Sequence, residues 1–159
     1  MWIEVTTLAA IFLLLNRKKQ EEAEQQAIQS GSPCAVFGRP GYYFTWEELT
    51  VTDTGLPNNP STPQCQNLKR LASNVLDPLR ELSGGPIYVN SAFRSQAVNA
   101  HPDVGGALNS LHLQGKAADI YSNRLNPQQL KELIEDYPAL RANLREVVVY
   151  GSHLHLALL

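Results

Sequence analysis

Two stretches of this chain gather residues that suit a divalent metal. Asn109-Ser-Leu-His-Leu-Gln-Gly-Lys-Ala-Ala-Asp-Ile120 carries His112 and, seven residues later, Asp119, with a glycine and two alanines between them. Near the C-terminus, Glu146-Val-Val-Val-Tyr-Gly-Ser-His-Leu-His155 adds His153 and His155. Zinc in a catalytic site takes three protein ligands from His, Asp, Glu or Cys and keeps a fourth position open. His112, Asp119 and one C-terminal histidine would complete such a set. Gly115 lets the chain turn, and Ala117 and Ala118 leave room for a strand to carry Asp119 back beside His112. On spacing alone, a loop histidine, a carboxylate at a strand end and two histidines on an exposed edge strand account for the same residues.

The elements that must position these side chains are legible as patterns. Val147, Val148, Val149 and Tyr150 are strong strand formers, and residues two apart on a strand share a face, so His153 and His155 are expected to point the same way. Pro63 opens a helix in which Cys65, Leu68, Ala72, Val75, Leu79 and Leu82 recur at three- and four-residue spacing, the mark of a buried stripe. Pro78 should kink this helix, and Gly84-Gly85 should end it before the strand Pro86-Ile-Tyr-Val-Asn90. A second helix is predicted from Pro127 to about Asp136, burying Leu130, Leu133 and Ile134. Strands near 86–91, 116–121 and 146–157, interleaved with helices, indicate a small α+β domain.

At 159 residues the chain has room for one domain with a core and an N-terminal appendage. Its formal charge is −2, and apart from Arg17-Lys18-Lys19 its cations are scattered. That distribution argues against a nucleic-acid partner. Residues 1–19 read as an apolar N-terminal helix whose residues 3–15 suit membrane association, although the clean apolar run is shorter than the roughly 20 residues that span a bilayer. The cations follow this run, which by the positive-inside rule keeps the next domain on the cytoplasmic side. Residues 20–41 read as a polar linker and 42–159 as the folded domain. Cys34 and Cys65 lie in no C-x-x-C spacing, which argues against a zinc ribbon or a thioredoxin-type motif. They can pair only in an oxidising compartment, and the expectation is two unpaired, small apolar side chains.

Taken together, several stretches resemble the zinc D-Ala-D-Ala carboxypeptidase and peptidoglycan endopeptidase family, in its small single-domain type common in phages and bacteria. They are Tyr43-Phe-Thr-Trp-Glu-Glu-Leu49, Val75-Leu-Asp-Pro-Leu-Arg-Glu-Leu82, Ser91-Ala-Phe-Arg-Ser95 with Val98-Asn99, Gly105-Gly-Ala-Leu-Asn-Ser-Leu-His112, Gly115-Lys-Ala-Ala-Asp119 and His153-Leu-His155. These run in family order over about residues 42–157. The resemblance implies a small antiparallel sheet with flanking helices, similar also to the hedgehog signalling domain. It implies zinc held by His112, Asp119 and His155, with His153 beside them. Arg94 resembles the family arginine that holds a substrate carboxylate or stabilises an oxyanion, and Ser110 lines the site or caps a turn. The implied reaction is hydrolysis of peptide bonds in peptidoglycan stems, as in a phage lysin, at the membrane or in the extracytoplasmic cell wall.

One expected group is missing. Amide hydrolysis of this kind needs a general base, and related members carry a glutamate six residues, or an acidic residue three residues, before the final ligand. Here those places hold Val149 and Ser152. Glu146 is near in sequence, but alternation along a single strand sets it opposite Val149, His153 and His155. Three readings remain open: His153 as the base, since imidazole suits proton transfer near neutrality; a carboxylate from Asp103, Glu47 or Glu48; or a zinc-containing domain of little or no turnover that binds peptidoglycan or a protein partner.

Overall fold

The computed structural model describes residues 11, 14, 15, 17, 18 and 31–159. Most of the segment read for membrane association, 3–15, and most of the polar linker lie outside the described residues. Among the described residues, no helix is long and apolar enough to cross a membrane.

The chain from residue 34 is strapped to the helical layer. Cys34 and Cys65 form a disulfide, which corrects the expectation of two free thiols. Their 31-residue separation hides the pairing from any local motif. A short 3-10 turn, Ala35–Phe37, follows, and Lys69 Nζ donates to the Phe37 carbonyl. The buried Asp77 carboxylate then accepts from the amides of Tyr42 and Tyr43, at 2.6 and 3.0 Å.

Helix α1, Trp46–Leu49, starts on a capping box between Thr45 and Glu48. Helix α2, Thr62–Leu71, carries Pro in its first turn, where a missing N–H costs nothing. Pro78, expected to kink the rod, follows a π-helical stretch, Ala72–Leu76, and lies in the first turn of α3, Asp77–Ser83. Proline can neither donate to the preceding turn nor clear its carbonyl, and the wider turn accommodates both defects. Gly84 closes α3 in the left-handed conformation.

Four strands make one antiparallel sheet: β1 Ile87–Ser91, β2 Ala117–Ser122, β3 Leu144–Val149 and β4 Leu154–Leu158, in spatial order β1-β2-β4-β3. A short helix α4, Gln96–Asn99, lies between β1 and β2, while α5, Pro127–Glu135, and α6, Pro138–Arg141, lie between β2 and β3. The expected Pro127 helix thus forms, starting on an Asn126–Gln129 capping box.

One sheet face supplies Ile87, Ala118, Ile120, Leu154 and Leu156 to the core, against Leu68, Leu71, Val75, Leu76 and Leu79 of the helical rod and Leu130 and Ile134 of α5. With hydrophobic stripes spent on that face, the other is left for polar side chains. The single strand expected near 146–157 is in fact a hairpin, β3 and β4, closed by a hydrogen bond from the Tyr150 amide to the His153 carbonyl, 2.9 Å.

Two local features decide which side chains reach the open face. Across the hairpin Val149 pairs with Leu154 and Val148 with His155. Paired residues share a side, so Val149 belongs to the Leu154 face and Val148 to the His155 face. Glu146, two residues before Val148, pairs in the same unbroken register with Ala157, two residues after His155, and the bulge between Leu144 and Glu146 returns Leu144 to its place opposite Leu158. Glu146 therefore joins the face of His155. The alternation rule had placed it on the opposite one, because counting through a hairpin turn as though it were strand reverses the parity.

Candidate metal centre

His112 sits in a single 3-10 turn, Leu111–Gln114. Ser110 caps it, its Oγ accepting from the His112 amide at 3.3 Å, and Gly115 ends it at φ 66°. The turn is pinned to α2 by Gln64 Nε2, which donates to the Leu113 carbonyl at 2.8 Å, and by Asn67 Nδ2, which donates to the Gln114 carbonyl at 2.9 Å. Glycine is required where the turn closes: a Cβ on Gly115 would stand 2.7 Å from the Gln64 carbonyl oxygen. The following strand, β2, brings Asp119 back beside His112. Asp119 pairs directly with His155 on β4, so the two side chains rise from the same side of the sheet.

The three groups converge on one carboxylate oxygen. Asp119 Oδ1 lies 2.7 Å from His155 Nδ1 and 3.4 Å from His112 Nε2. One donor atom from each of the three residues falls within 4.8 Å of the others, a group that could hold a metal ion. The protonation of His112 follows from its other nitrogen. Nδ1 lies 2.6 Å from the Ala92 carbonyl oxygen, which can only accept, so Nδ1 carries a proton and Nε2 is the nitrogen turned to the site, free to give up its own proton when a metal binds. Two imidazole nitrogens and a carboxylate oxygen form a donor set suited to zinc.

Burial opposes the charge on Asp119, but hydrogen bonds with His112 and His155 and the charges of His112 and Arg94 outweigh it. Its carboxyl is held well below the usual carboxylate range, as a ligand ready for a cation requires. Its second oxygen, Oδ2, accepts from Arg94 Nη2 at 2.6 Å. Arg94 Nε donates in turn to Ser91 Oγ at 2.8 Å. The arginine is thus half engaged in holding Asp119 while also lining a cavity of about 330 Å³ with Asn90, Ser91 and Asp103.

His153 also faces the centre, with Nε2 3.8 Å from Asp119 Oδ1. The ring of Tyr150 stacks on it, centroids 4.9 Å apart, and its Nδ1 lies 3.3 Å from Ser152 Oγ. Ser110, besides capping the His112 turn, lines a second cavity of about 490 Å³ with Asn109, Arg145 and Glu146.

The carboxylates named as candidate bases are placed differently. Glu48 is committed to its capping box, accepting from the Thr45 amide at 2.8 Å. Glu47 lies with it on α1, whereas Asp103 lines the cavity beside Arg94. Glu146, set aside on alternation, reaches His155: its Oε2 stands 3.4 Å from Nε2. Sequence reasoning also missed the Ala92 carbonyl, which has no side-chain signature, and the Tyr150 stack, whose signal was an aromatic three residues before His153.

Residues 42–157 match the model of the family described as Peptidase M15. No curated protein matches the chain.

Proposed function

The chain belongs to the peptidase M15 family, whose members are zinc-dependent, and from that premise we propose that it cleaves peptide bonds within the stems of bacterial cell-wall peptidoglycan. The observation that carries this reading is the meeting of His112, Asp119 and His155 on the open face of the sheet, inside the matched region. These three residues would hold zinc. Bound there, zinc supplies a Lewis acid that polarises the scissile carbonyl.

The chain's own groups supply the rest. His112 and His155 each present one nitrogen, and Asp119 presents Oδ1, kept ionised by its partners. Arg94 fixes Asp119 through one Nη and turns its other edge to the neighbouring cavity, where a guanidinium binds a carboxylate or a carbonyl oxygen of the stem. His153 takes at Nε2 the proton of the attacking water and returns it to the leaving amine, its imidazole being the only one at the centre besides the candidate ligands among the described residues, with Tyr150 holding its ring in place. Ser110 contributes to substrate contact from the second cavity.

An endopeptidase fits better than a carboxypeptidase. One cavity adjoins Arg94 and Asp103 and the other adjoins Ser110 and Glu146, so a stem can extend from the centre in both directions. The Cys34–Cys65 disulfide favours work outside the cytoplasm, in the cell wall, as a phage lysin would do.

The test is release of new amino groups from purified peptidoglycan by the protein as isolated, after chelation, after zinc is restored, and by a His155→Ala variant. Release that vanishes with chelator, returns with zinc and is absent from the variant supports the reading. A protein that holds one zinc and releases nothing is a binding module, and Val149 and Ser152, where relatives carry an acidic residue, become the reason.

A further inference from the structure

The two histidines of the centre are not held alike. The rear nitrogen of His112, Nδ1, faces a main-chain carbonyl at 2.6 Å. That contact determines which nitrogen is left for a metal. His155 presents its nitrogens the other way round: Nδ1 faces Asp119, and Nε2 is the rear nitrogen. Among the described residues, the group behind it is a side chain, the carboxylate of Glu146, with Oε2 at 3.4 Å. We propose that Glu146 is the positioning residue of His155, accepting its Nε2 proton so that Nδ1 is the lone-pair donor to the metal.

A histidine that ligates through one nitrogen in its neutral form must carry its proton on the other. That proton needs an acceptor, and metal-bound imidazoles commonly give it to a carboxylate or a carbonyl, which fixes ring orientation and raises ligand basicity. Glu146 is delivered to this post by the hairpin register: Val148 pairs with His155 and Glu146 with Ala157, so Glu146 rises on the side of His155. The bulge lies before it, between Leu144 and Glu146, and leaves that register intact.

Glu146 is itself steadied from the solvent side, where Arg145 Nε lies 3.5 Å from its other oxygen. Its side chain is 39% exposed, so a rotamer adjustment suffices to shorten the 3.4 Å contact to hydrogen-bond length. The same exposure means that the fold does not depend on this side chain, so its removal tests the site rather than the core.

The inference rests on the zinc reading above, and its test separates the two. Zinc affinity is measured by competition with a chelating dye for the wild type, Glu146→Gln and Glu146→Ala, alongside denaturant unfolding of the metal-free proteins. The ¹⁵N spectrum of His155 in the zinc-loaded proteins reports which nitrogen is protonated. Expected are a roughly 10- to 100-fold loss of affinity in the alanine variant, partial recovery in glutamine, whose carbonyl can still accept, unchanged metal-free stability, and an Nε2 proton on His155 in the wild type.

Wild-type affinity in the alanine variant, or an Nδ1 proton on zinc-loaded His155, would overturn the role assigned to Glu146 and leave the zinc reading standing. A glutamine variant that binds zinc as tightly as wild type yet has lost turnover would make Glu146 the base, which also overturns it. A wild type that binds no zinc would overturn both.

Discussion

Replacing Gly115 with alanine should damage the metal centre without touching any group in it. Gly115 sits at φ +66°, where an L residue costs about 1–2 kcal/mol. The new Cβ would also stand 2.7 Å from the Gln64 carbonyl oxygen and 3.1 Å from Leu68 Cγ. The first of these atoms belongs to the backbone of α2 and cannot rotate away, so overpacking adds about 1–3 kcal/mol. Gly84→Ala is the matched control: its φ is +64°, but its nearest neighbour is the flexible end of Arg124 at 4.0 Å. Denaturant unfolding of the metal-free variants should therefore show Gly115→Ala less stable than Gly84→Ala by about the overpacking term of 1–3 kcal/mol. Because Gly115 closes the turn that carries His112, zinc affinity should fall in the first variant and hold in the second. Equal destabilisation in the two would show that the close approach to α2 carries no weight. Unchanged zinc affinity in Gly115→Ala would show that the turn does not set the position of His112.

Two further outcomes follow from the struts around the site. The Cys34–Cys65 bridge spans 31 residues, and the loop-entropy relation assigns such a closure about 3–4 kcal/mol; the Cys34→Ser, Cys65→Ser double variant should lose that much in denaturant unfolding, and a loss under about 1 kcal/mol would contradict the strap described here. Asn58 donates through Nδ2 to the carbonyls of Thr50 and Phe93, both at 2.9 Å, and accepts from the Ser95 amide at 2.7 Å. Asn58→Ala leaves these groups stranded on both sides of Arg94, so stability should fall by about 2–4 kcal/mol and KM for peptidoglycan fragments should rise; a variant within 0.5 kcal/mol of wild type would refute the bracing role.

Much of this molecule can be read one residue at a time. The helical stripe through Leu68, Val75 and Leu79, the strand around Val89 and the helix opened by Pro127 declare themselves because their periodicity and capping are local properties. The antiparallel α+β sheet and the zinc-dependent family follow from motifs spread over residues 42–157, and the matching family model covers the same span. His112, Asp119 and a C-terminal histidine drew notice by residue type and spacing, the family resemblance singled out His155, and these three do come together.

Other features are decided only when the chain closes on itself. The sequence holds two cysteines in no motif; packing of the 34–46 strap on α2 brings them together. Arg94 has the family's residue type, but its engagement with Asp119 and Ser91 follows from the neighbouring placement of β1 and β2. The sharpest case is Glu146. Strand parity is a local rule, and each bulge or hairpin turn inverts it; the inversion is written in backbone pairing, which depends on which hydrophobic faces find each other across the sheet. The sequence by itself therefore determined the chemistry available and the elements that carry it, whereas the tertiary structure decided which carboxylate faces His155, because the chain reverses between Val149 and Leu154 and the pairing across that hairpin, not the count of residues, sets the side on which Glu146 emerges.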